Sequence, residues 1–247
     1  MFGFKLWSKF GSFKDPITIT QNMTLSLPPK TTVGGMLAAI LGIDYNDYFS
    51  DKDYFDFKYS LVLQNPVRKK SYAQNYVKDY TKKSRTRLTY MSGIQSKSYD
   101  DWVKSSKDFT KPKPIYRELL LNPSFFIFIE NFKYEKESIK MMEKHWSAYP
   151  LYMGNSEFAA SYQHIHCKKV EASRMSELDS FTGYADKINF EPGKKYTNIY
   201  AATRVTGNRQ YSVYKNIVIC NKKILLSSEI DGFNINTDMG TFCCEFI

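Results

Sequence analysis

The residues best suited to chemistry in this chain are the lysines, arginines and aromatic residues between Pro66 and Pro114. This segment holds 13 basic and 4 acidic residues, so it supplies +9 of the formal net charge of +10. It also holds seven aromatic residues. Because cationic side chains attract phosphates and aromatic faces stack on unpaired bases, this composition is typical of a groove for single-stranded RNA or DNA.

Three tyrosines of this segment, Tyr72, Tyr76 and Tyr80, are spaced by four residues, so a helix would align them on one face. On that face they can stack on nucleic-acid bases. The alternative is that they dock the segment on the rest of the protein while the lysines stay solvated.

The histidines are the second group with possible chemistry, and the chain has three: His145, His164 and His166. His164 and His166 fall on one side of a predicted strand, with Cys167 nearby, which suggests a metal site. Two ligands do not complete such a site, so we expect solvent-facing polar residues and no bound metal. His145 lies at the C-terminus of a predicted helix, where a cationic side chain interacts favourably with the helix dipole.

Sequence motifs of the common enzyme classes are absent. The chain has no Walker A motif, G-x-S-x-G, H-E-x-x-H or paired-carboxylate pattern. A metal-independent ribonuclease needs a general base, and no histidine lies beside the basic segment. We therefore expect a protein that is not an enzyme and has no cofactor.

The composition predicts a globular protein and indicates the cellular compartment. With 247 residues, 43% hydrophobic and 24% charged, the chain is long enough for one or two globular domains. Four cysteines without a C-x-x-C pair favour reduced thiols. No signal peptide and no apolar run of about 20 residues occurs, so we expect a cytoplasmic protein that does not cross a membrane.

The elements that must position these residues follow from hydrophobic periodicity. Helices are predicted at Val33–Leu41, with Thr31 or Thr32 as cap and Gly42 as stop, and at Glu135–His145. Gly34 and Gly35 lie in the first helix, where they permit close packing. Strands are predicted in the following segments: Phe2–Phe10, Tyr54–Gln64, Ile115–Leu121, Phe125–Phe132, Tyr162–Val170, Tyr196–Val205, and a hairpin of Tyr211–Cys220 with Lys223–Ser227.

This order predicts an α+β fold: a ferredoxin-like domain over residues 1–160, interrupted by a basic insertion at 66–114, followed by a β-rich subdomain over 161–247. The same layout underlies sheet-based RNA-recognition modules.

Four segments together resemble the Cas-five family, the CRISPR-associated subunit of type I Cascade complexes within the RAMP superfamily. They share the family's order and spacing, and the overall pattern is most similar to the type I-B branch. The segments are Phe10-Gly11-Ser12-Phe13-Lys14-Asp15-Pro16, Leu27-Pro28-Pro29-Lys30-Thr31-Thr32-Val33-Gly34-Gly35-Met36-Leu37-Ala38-Ala39-Ile40-Leu41-Gly42, Glu118-Leu119-Leu120-Leu121-Asn122-Pro123 and Tyr149-Pro150-Leu151-Tyr152-Met153-Gly154-Asn155-Ser156-Glu157-Phe158.

The resemblance implies a non-catalytic subunit that caps the 5′ handle of the CRISPR RNA for antiviral defence. Its implied partners are the Cascade backbone subunit, the large PAM-recognising subunit and, indirectly, target DNA. The 66–114 insertion corresponds to the family's thumb. One branch of the family is itself a processing endoribonuclease that uses Tyr, Lys and His. Lys111-Pro112-Lys113-Pro114 lacks that His, so cleavage of precursor CRISPR RNA is the alternative function.

The predicted RNA contacts are based on the chemistry of the residues and on the family resemblance. Backbone N–H groups at the helix start suit a phosphate, and Asn155 and Ser156 can hydrogen-bond the handle, although ordinary turn chemistry also explains these two. A basic interaction protein outside CRISPR, meeting DNA or an acidic protein, is a further alternative. The predicted RNA-binding residues are Lys14, Lys30, Thr31, Thr32, Arg68, Lys69, Lys70, Lys82, Lys83, Arg85, Arg87, Tyr90, Asn155 and Ser156.

Overall fold

The computed structural model describes residues 1–18, 22–76, 113–205 and 211–247. Within these ranges the protein is a strand-rich α/β structure, and none of its helices is long and apolar enough to cross a membrane. Its helices are α1 (Lys30–Leu41), α2 (Tyr45–Ser50) and α3 (Glu135–Glu143). Its strands are β1 (Phe2–Trp7), β2 (Phe10–Gly11), β3 (Phe13–Lys14), β4 (Thr24–Leu25), β5 (Lys58–Leu63), β6 (Lys69–Tyr76), β7 (Lys113–Leu121), β8 (Ser124–Glu130), β9 (Ser161–Ile165), β10 (Cys167–Leu178), β11 (Tyr196–Val205), β12 (Tyr211–Cys220), β13 (Ile224–Thr237) and β14 (Gly240–Cys244).

A four-stranded antiparallel sheet in the order β5-β8-β1-β9 forms the centre of the protein. Its strand β8 is apolar at nearly every position, because both faces of the sheet are covered. Ile127 and Ile129 face the core that contains α1 and α3. Phe126 and Phe128 face the opposite side, where Phe242 of β14 packs against both rings. The C-terminal strands therefore cover the face that the helices leave open.

Helix α1 begins earlier than its predicted start at Val33. It starts at Lys30, and Pro29 is the N-cap without a side-chain hydrogen bond, so the predicted cap by Thr31 or Thr32 is wrong. The fixed φ of proline suits this position, and the Pro29 carbonyl accepts hydrogen bonds from the amides of Thr32 and Val33. The predicted end is confirmed, since Gly42 adopts a left-handed conformation with φ of 74°.

The strand predicted at Tyr54–Gln64 is shorter in the structure and covers only Lys58–Leu63. Tyr54 and Phe55 lie in a turn before it and pack beneath α1. The Tyr54 hydroxyl donates to the Gly34 carbonyl at 2.9 Å, and a Cβ on Gly34 would lie 2.6 Å from the Phe55 ring. Tertiary packing thus ends the strand where alternation alone would extend it.

The predicted hairpin between Tyr211–Cys220 and Lys223–Ser227 is wrong. Strand β12 pairs with β11, whereas β13 pairs with β10 and β14. Ile217 of β12 and Ile199 of β11 join the core beneath α1, whereas Val218 of β12 packs in a second cluster with Ile224 of β13. Strands β12 and β13 therefore share a core cluster although they are not hydrogen-bonded to each other, which sequence adjacency does not reveal.

The ends of the basic segment are held by a small sheet in the order β2-β7-β6. Strands β6 and β7 pair in register from Lys69 opposite Leu120 to Tyr76 opposite Lys113. Residues 72–76 therefore form a strand and not a helix. The ladder brings the two ends of residues 77–112 side by side, and those residues lie outside the described part of the chain.

Candidate nucleic-acid interface

A pocket of about 150 Å³ lies at the N-terminal end of α1. Four of the predicted site residues, Lys14, Thr31, Thr32 and Asn155, line it although they come from three separate segments of the chain. Its remaining lining residues are Ser12, Phe13, Pro16, Leu25, Pro29, Gly154 and Ala202.

The turn that carries Asn155 is fixed against the segment after β2. Gly154 has φ of 90°, and a Cβ at this position would overlap the Ser12 carbonyl oxygen, so only glycine fits. The Ser12 amide donates to the Met153 carbonyl at 2.9 Å. Asn155 is thereby held in the pocket wall, whereas Ser156 is exposed and lies outside the lining.

Lys14 reaches the pocket from the short strand β3. Its neighbour Phe13 is buried and its amide donates to the Thr24 hydroxyl at 2.8 Å, which fixes β3 against β4. Strand alternation then directs the Lys14 side chain outward, where it is exposed. The buried Phe13 thus places an exposed cation at the edge of the pocket.

The first turn of α1 supplies backbone donors. The Tyr59 hydroxyl donates to the Pro28 carbonyl at 2.6 Å and fixes the entry into the helix. In the described part of the chain, the amides of Lys30 and Thr31 have no hydrogen-bond acceptor, whereas those of Thr32 and Val33 donate to Pro29. Two unsatisfied N–H groups at a helix N-terminus form a site that favours an anion.

Lys30 adds positive charge close to this helix end. Its side chain is buried, and its Nζ lies 5.0 Å from the centroid of the Phe57 ring. Burial, followed by the charges of Lys215 and Arg204, lowers the Lys30 pKa to about 8. Arg204 of β11 also forms an ion pair with Asp56. Sequence reasoning missed Arg204 and Lys215, because each is an isolated basic residue in a strand.

The base of the basic segment has a different charge environment. Lys69 Nζ donates to the Thr24 carbonyl at 2.5 Å and to Glu118 at 3.2 Å, and Glu118 also accepts from the Thr24 amide. Lys69 is therefore already bound within the protein. Arg68 and Lys70 are exposed. The other predicted residues of the segment, Lys82, Lys83, Arg85, Arg87 and Tyr90, lie outside the described part of the chain.

The two strand histidines lie at the far edge of the central sheet. His164 and His166 are in ring contact, and Glu143 at the end of α3 approaches both. Burial, followed by the charge of His166, lowers the His164 pKa. Only these two histidines share this side in the sequence pattern, and the structure places Glu143 beside them.

A family model described as "CRISPR-associated protein (Cas_Cas5)" matches residues 2–205 of this chain. In fold, the chain resembles a solved "CRISPR RNA-guided surveillance complex" chain, with a TM-score of 0.52 and 13% identity over 93% of this chain and 90% of that one. It also resembles a CRISPR protein from Archaeoglobus fulgidus, with a TM-score of 0.51 and 12% identity over 98% and 99% of the two chains. A search of the curated proteins gives no match.

The fold and the pocket define a strand-rich α/β protein with an anion-suited helix end. Because the family model covers most of its length, the chain belongs to the Cas5 family of CRISPR-associated proteins. The predicted resemblance to the Cas-five family is thereby confirmed.

Proposed function

We propose that this chain is a non-catalytic subunit of a type I CRISPR effector complex, and that it binds the 5′ handle of the CRISPR RNA. The pocket at the start of α1 carries the proposal. Lys14 and Asn155 line this volume of about 150 Å³. Beside them, the first turn of α1 offers the amides of Lys30 and Thr31, which have no acceptor in the described part of the chain. A phosphate group with its sugar matches this set of donors.

The charge behind the pocket supports an anionic ligand. Lys30 is a buried cation whose pKa is lowered by burial and by two further cations, so an anion at the helix end relieves an electrostatic cost that the protein otherwise bears. Thr31 and Thr32 add hydroxyl groups at the pocket wall. Ser156 follows Asn155 in the same turn and extends the surface toward a neighbouring nucleotide.

We propose a ferredoxin-like RAMP body for the first part of the chain. The elements β1, α1, β5, β8, α3 and β9 run in the strand–helix–strand–strand–helix–strand order, and the antiparallel sheet order β5-β8-β1-β9 supports that assignment. The proposed division at residue 160 is best drawn after Ile165, since β9 pairs with β1. The remaining strands then form the β-rich part.

Residues 66–114 are the proposed thumb of this body. The β6–β7 ladder supports this role, because it holds both ends of the segment at one place on the protein. Arg68 and Lys70 face solvent at its base, and Lys82, Lys83, Arg85, Arg87 and Tyr90 supply phosphate contacts and base stacking farther along. Lys69 holds the base of the thumb through Glu118.

The partners in this proposal are the CRISPR RNA, the Cascade backbone subunit and the large PAM-recognising subunit, with target DNA reached indirectly. The proposed setting is a cytoplasmic type I-B system for antiviral defence. A solved relative of similar fold comes from an RNA-guided complex, which is consistent with assembly into such a complex.

The rival function is metal-independent cleavage of precursor CRISPR RNA. The described lining of the pocket contains no histidine or carboxylate that could take a proton from a 2′-hydroxyl. This chemistry favours binding over cleavage. Incubation of the protein with repeat RNA in EDTA separates the two functions, and specific cleavage would replace our proposal with the nuclease.

Binding is tested by titrating handle-containing RNA with the wild type and with a Lys14→Ala/Asn155→Ala double variant. Because two contacts are lost, we expect affinity to fall by about 100-fold at low salt. The slope of log affinity against log salt should fall by about 0.7, the contribution of one contact to a single-strand phosphate.

The matched control is Lys136→Ala, which removes the same charge from the exposed surface of α3. It should leave the affinity and the salt slope within about twofold of the wild type. Equal losses in both variants would mean that only net charge matters and that the pocket has no specific role.

A further inference from the structure

Three potential metal ligands meet at the edge of the central sheet. His164 lies in the edge strand β9, His166 directly follows that strand, and Glu143 is the last residue of α3. One ligand atom from each of the three side chains lies within 4.8 Å of the other two. The group lies outside the proposed RNA pocket and does not depend on that function.

The fold explains why these side chains converge. Residues two apart on a strand point to the same side, so His164 and His166 share a side with Tyr162. His164 pairs with Phe4 of β1, whose ring belongs to the core beneath the helices. Helix α3 lies on this side, and its last turn brings Glu143 over the strand edge.

Helix α3 ends at Glu143, so its last residue reaches the two histidines. Met142 is fully buried and anchors the last turn, while His145 adopts φ of 51° and turns the chain away. Glu143 is therefore held at the rim by its buried neighbour, although its own side chain is exposed and can rotate. The third histidine of the chain, His145, is not part of the group.

We propose that His164, His166 and Glu143 bind a divalent transition-metal ion of the zinc class. Two imidazole nitrogens and one carboxylate oxygen are a donor set that suits this ion, with metal–ligand distances of about 2.0–2.2 Å. Tetrahedral geometry places the ligands roughly 3.3 Å apart, so small side-chain rotations close the observed separation. Three protein ligands leave the fourth position for water.

The surroundings have the features of a metal site. A cavity of about 200 Å³ adjoins the three side chains, and Phe2, Ile139 and Ile165 form part of its apolar wall. The perpendicular His164 and His166 rings have centroids 4.9 Å apart, which allows one nitrogen of each ring to face a common point. These apolar side chains limit access of water from the inner side of the site.

Cys167 lines the same cavity but is not assigned as a ligand. Its Sγ would lie 3.4 Å from a Cβ placed on Gly3, so the thiol is directed against β1. Burial is the main cause that raises the pKa of this thiol to about 11. Glu135, which is also near, forms an ion pair with the amino group of Met1.

A bound ion joins the end of α3 to the sheet edge, so metal should stabilise the folded protein. The test uses the full chain without a histidine tag, first treated with chelator and then titrated with Zn²⁺ by calorimetry. We expect one equivalent to bind and the melting temperature to rise. Titration with Co²⁺ should give the strong visible absorption of a four-coordinate site.

The variants His164→Gln, His166→Gln and Glu143→Gln should each weaken Zn²⁺ binding by at least about tenfold, since even residues that only orient ligands contribute about 10–100-fold. The control is His145→Asn, because asparagine tolerates the positive φ at this position and the substitution removes the remaining histidine. It should bind Zn²⁺ like the wild type.

Unchanged affinity in the folded His166→Gln variant, whose side chain is exposed, would overturn the proposal. A wild type without stoichiometric binding, or an equal loss in His145→Asn, would also overturn it. Folding of each variant is verified by circular dichroism. RNA binding is measured in parallel, and the substitutions should leave it unchanged, so failure of the metal site remains distinct from failure of the RNA pocket.

Discussion

The pocket at the start of α1 and the base of the basic segment both contain predicted phosphate-binding lysines, but the structure treats their charges differently. At the pocket, Lys14 is exposed, and Lys30 is buried near the further cations Lys215 and Arg204. At the base of the segment, Lys69 is bound by Glu118. The number of lysines in a region therefore does not show which of them are available to a ligand. Their availability depends on whether neighbouring acids and carbonyls already bind them.

The largest expected effect comes from breaking the backbone that builds the pocket. Gly154→Ala should lower the free energy of unfolding by about 3 kcal/mol or more, because the new Cβ overlaps the Ser12 carbonyl in a left-handed conformation. Denaturant titration measures the change.

Gly193→Ala provides the control for this substitution. Its φ is 79°, but nothing lies within 4 Å of the added Cβ, so only the backbone strain of roughly 1–2 kcal/mol applies. Equal losses at both glycines would show that contact with Ser12 does not shape the pocket.

The next largest effect is expected in the basic segment. The double substitution Arg85→Glu/Arg87→Glu should weaken RNA binding by about 100-fold and flatten its salt dependence, because two phosphate contacts become repulsive. An unchanged salt slope would argue against a phosphate role for this pair and leave the pocket as the main RNA site.

A direct comparison of the two regions uses one lysine from each. Lys14→Ala should weaken RNA binding by about tenfold, because it removes an available cation from the pocket. Lys69→Ala should change RNA binding by less than about twofold, because Glu118 and the Thr24 carbonyl already bind this ammonium.

The order of the two lysines should be reversed for stability, with the larger effect on the free energy of unfolding at Lys69. Lys69→Ala should lower the free energy of unfolding by about 1 kcal/mol, and Lys14→Ala should leave it unchanged. If Lys69 proved the more important residue for RNA, intramolecular pairing would not predict which lysines bind phosphate.

A prediction of pH-dependent stability concerns the protonation of Lys30. Its pKa is lowered to about 8 in the folded protein from an ordinary value of 10.5, so the unfolded chain binds more protons between these values. The free energy of unfolding should therefore rise with pH across this window, by up to about 1.4 kcal/mol per pH unit. Lys30→Met should remove that contribution from the measured pH dependence.

RNA binding near Lys30 should partly reverse this shift. A phosphate at the first turn of α1 stabilises the charged ammonium, so binding at about pH 8.5 should take up a fraction of a proton. Calorimetry in two buffers of different ionisation enthalpy measures this uptake. Equal enthalpies in both buffers would place the phosphate away from Lys30.

Sequence reasoning reached part of this architecture. Strand β8, helix α3 and the Gly42 stop were predictable, because local periodicity and glycine chemistry determine them. The pairing of β12 with β11 was not predictable, since both candidate partners alternate suitably and only the buried core selects between them.

The candidate site also contains some residues that the sequence predicts and others that only the fold reveals. Lys14, Thr31 and Asn155 were predicted from family-like segments, and the structure brings them to one pocket. The contributions of Arg204 and Lys215 needed the fold, because isolated basic residues in strands carry no clustering signal. The position of Glu143 beside His164 also needed the fold. The two residues are 21 positions apart in the sequence, and only the packing of α3 on the sheet edge brings them together.

The most direct test of 5′-handle binding is to purify the protein from its native cells with its partners and to sequence the RNA that remains bound. We expect CRISPR RNAs of different spacers that share one 5′ end within the repeat. The Lys14→Ala/Asn155→Ala variant should retain less of this RNA than Lys136→Ala does. Recovery of no RNA, or of RNA without a common 5′ end, would contradict the proposed binding of the 5′ handle.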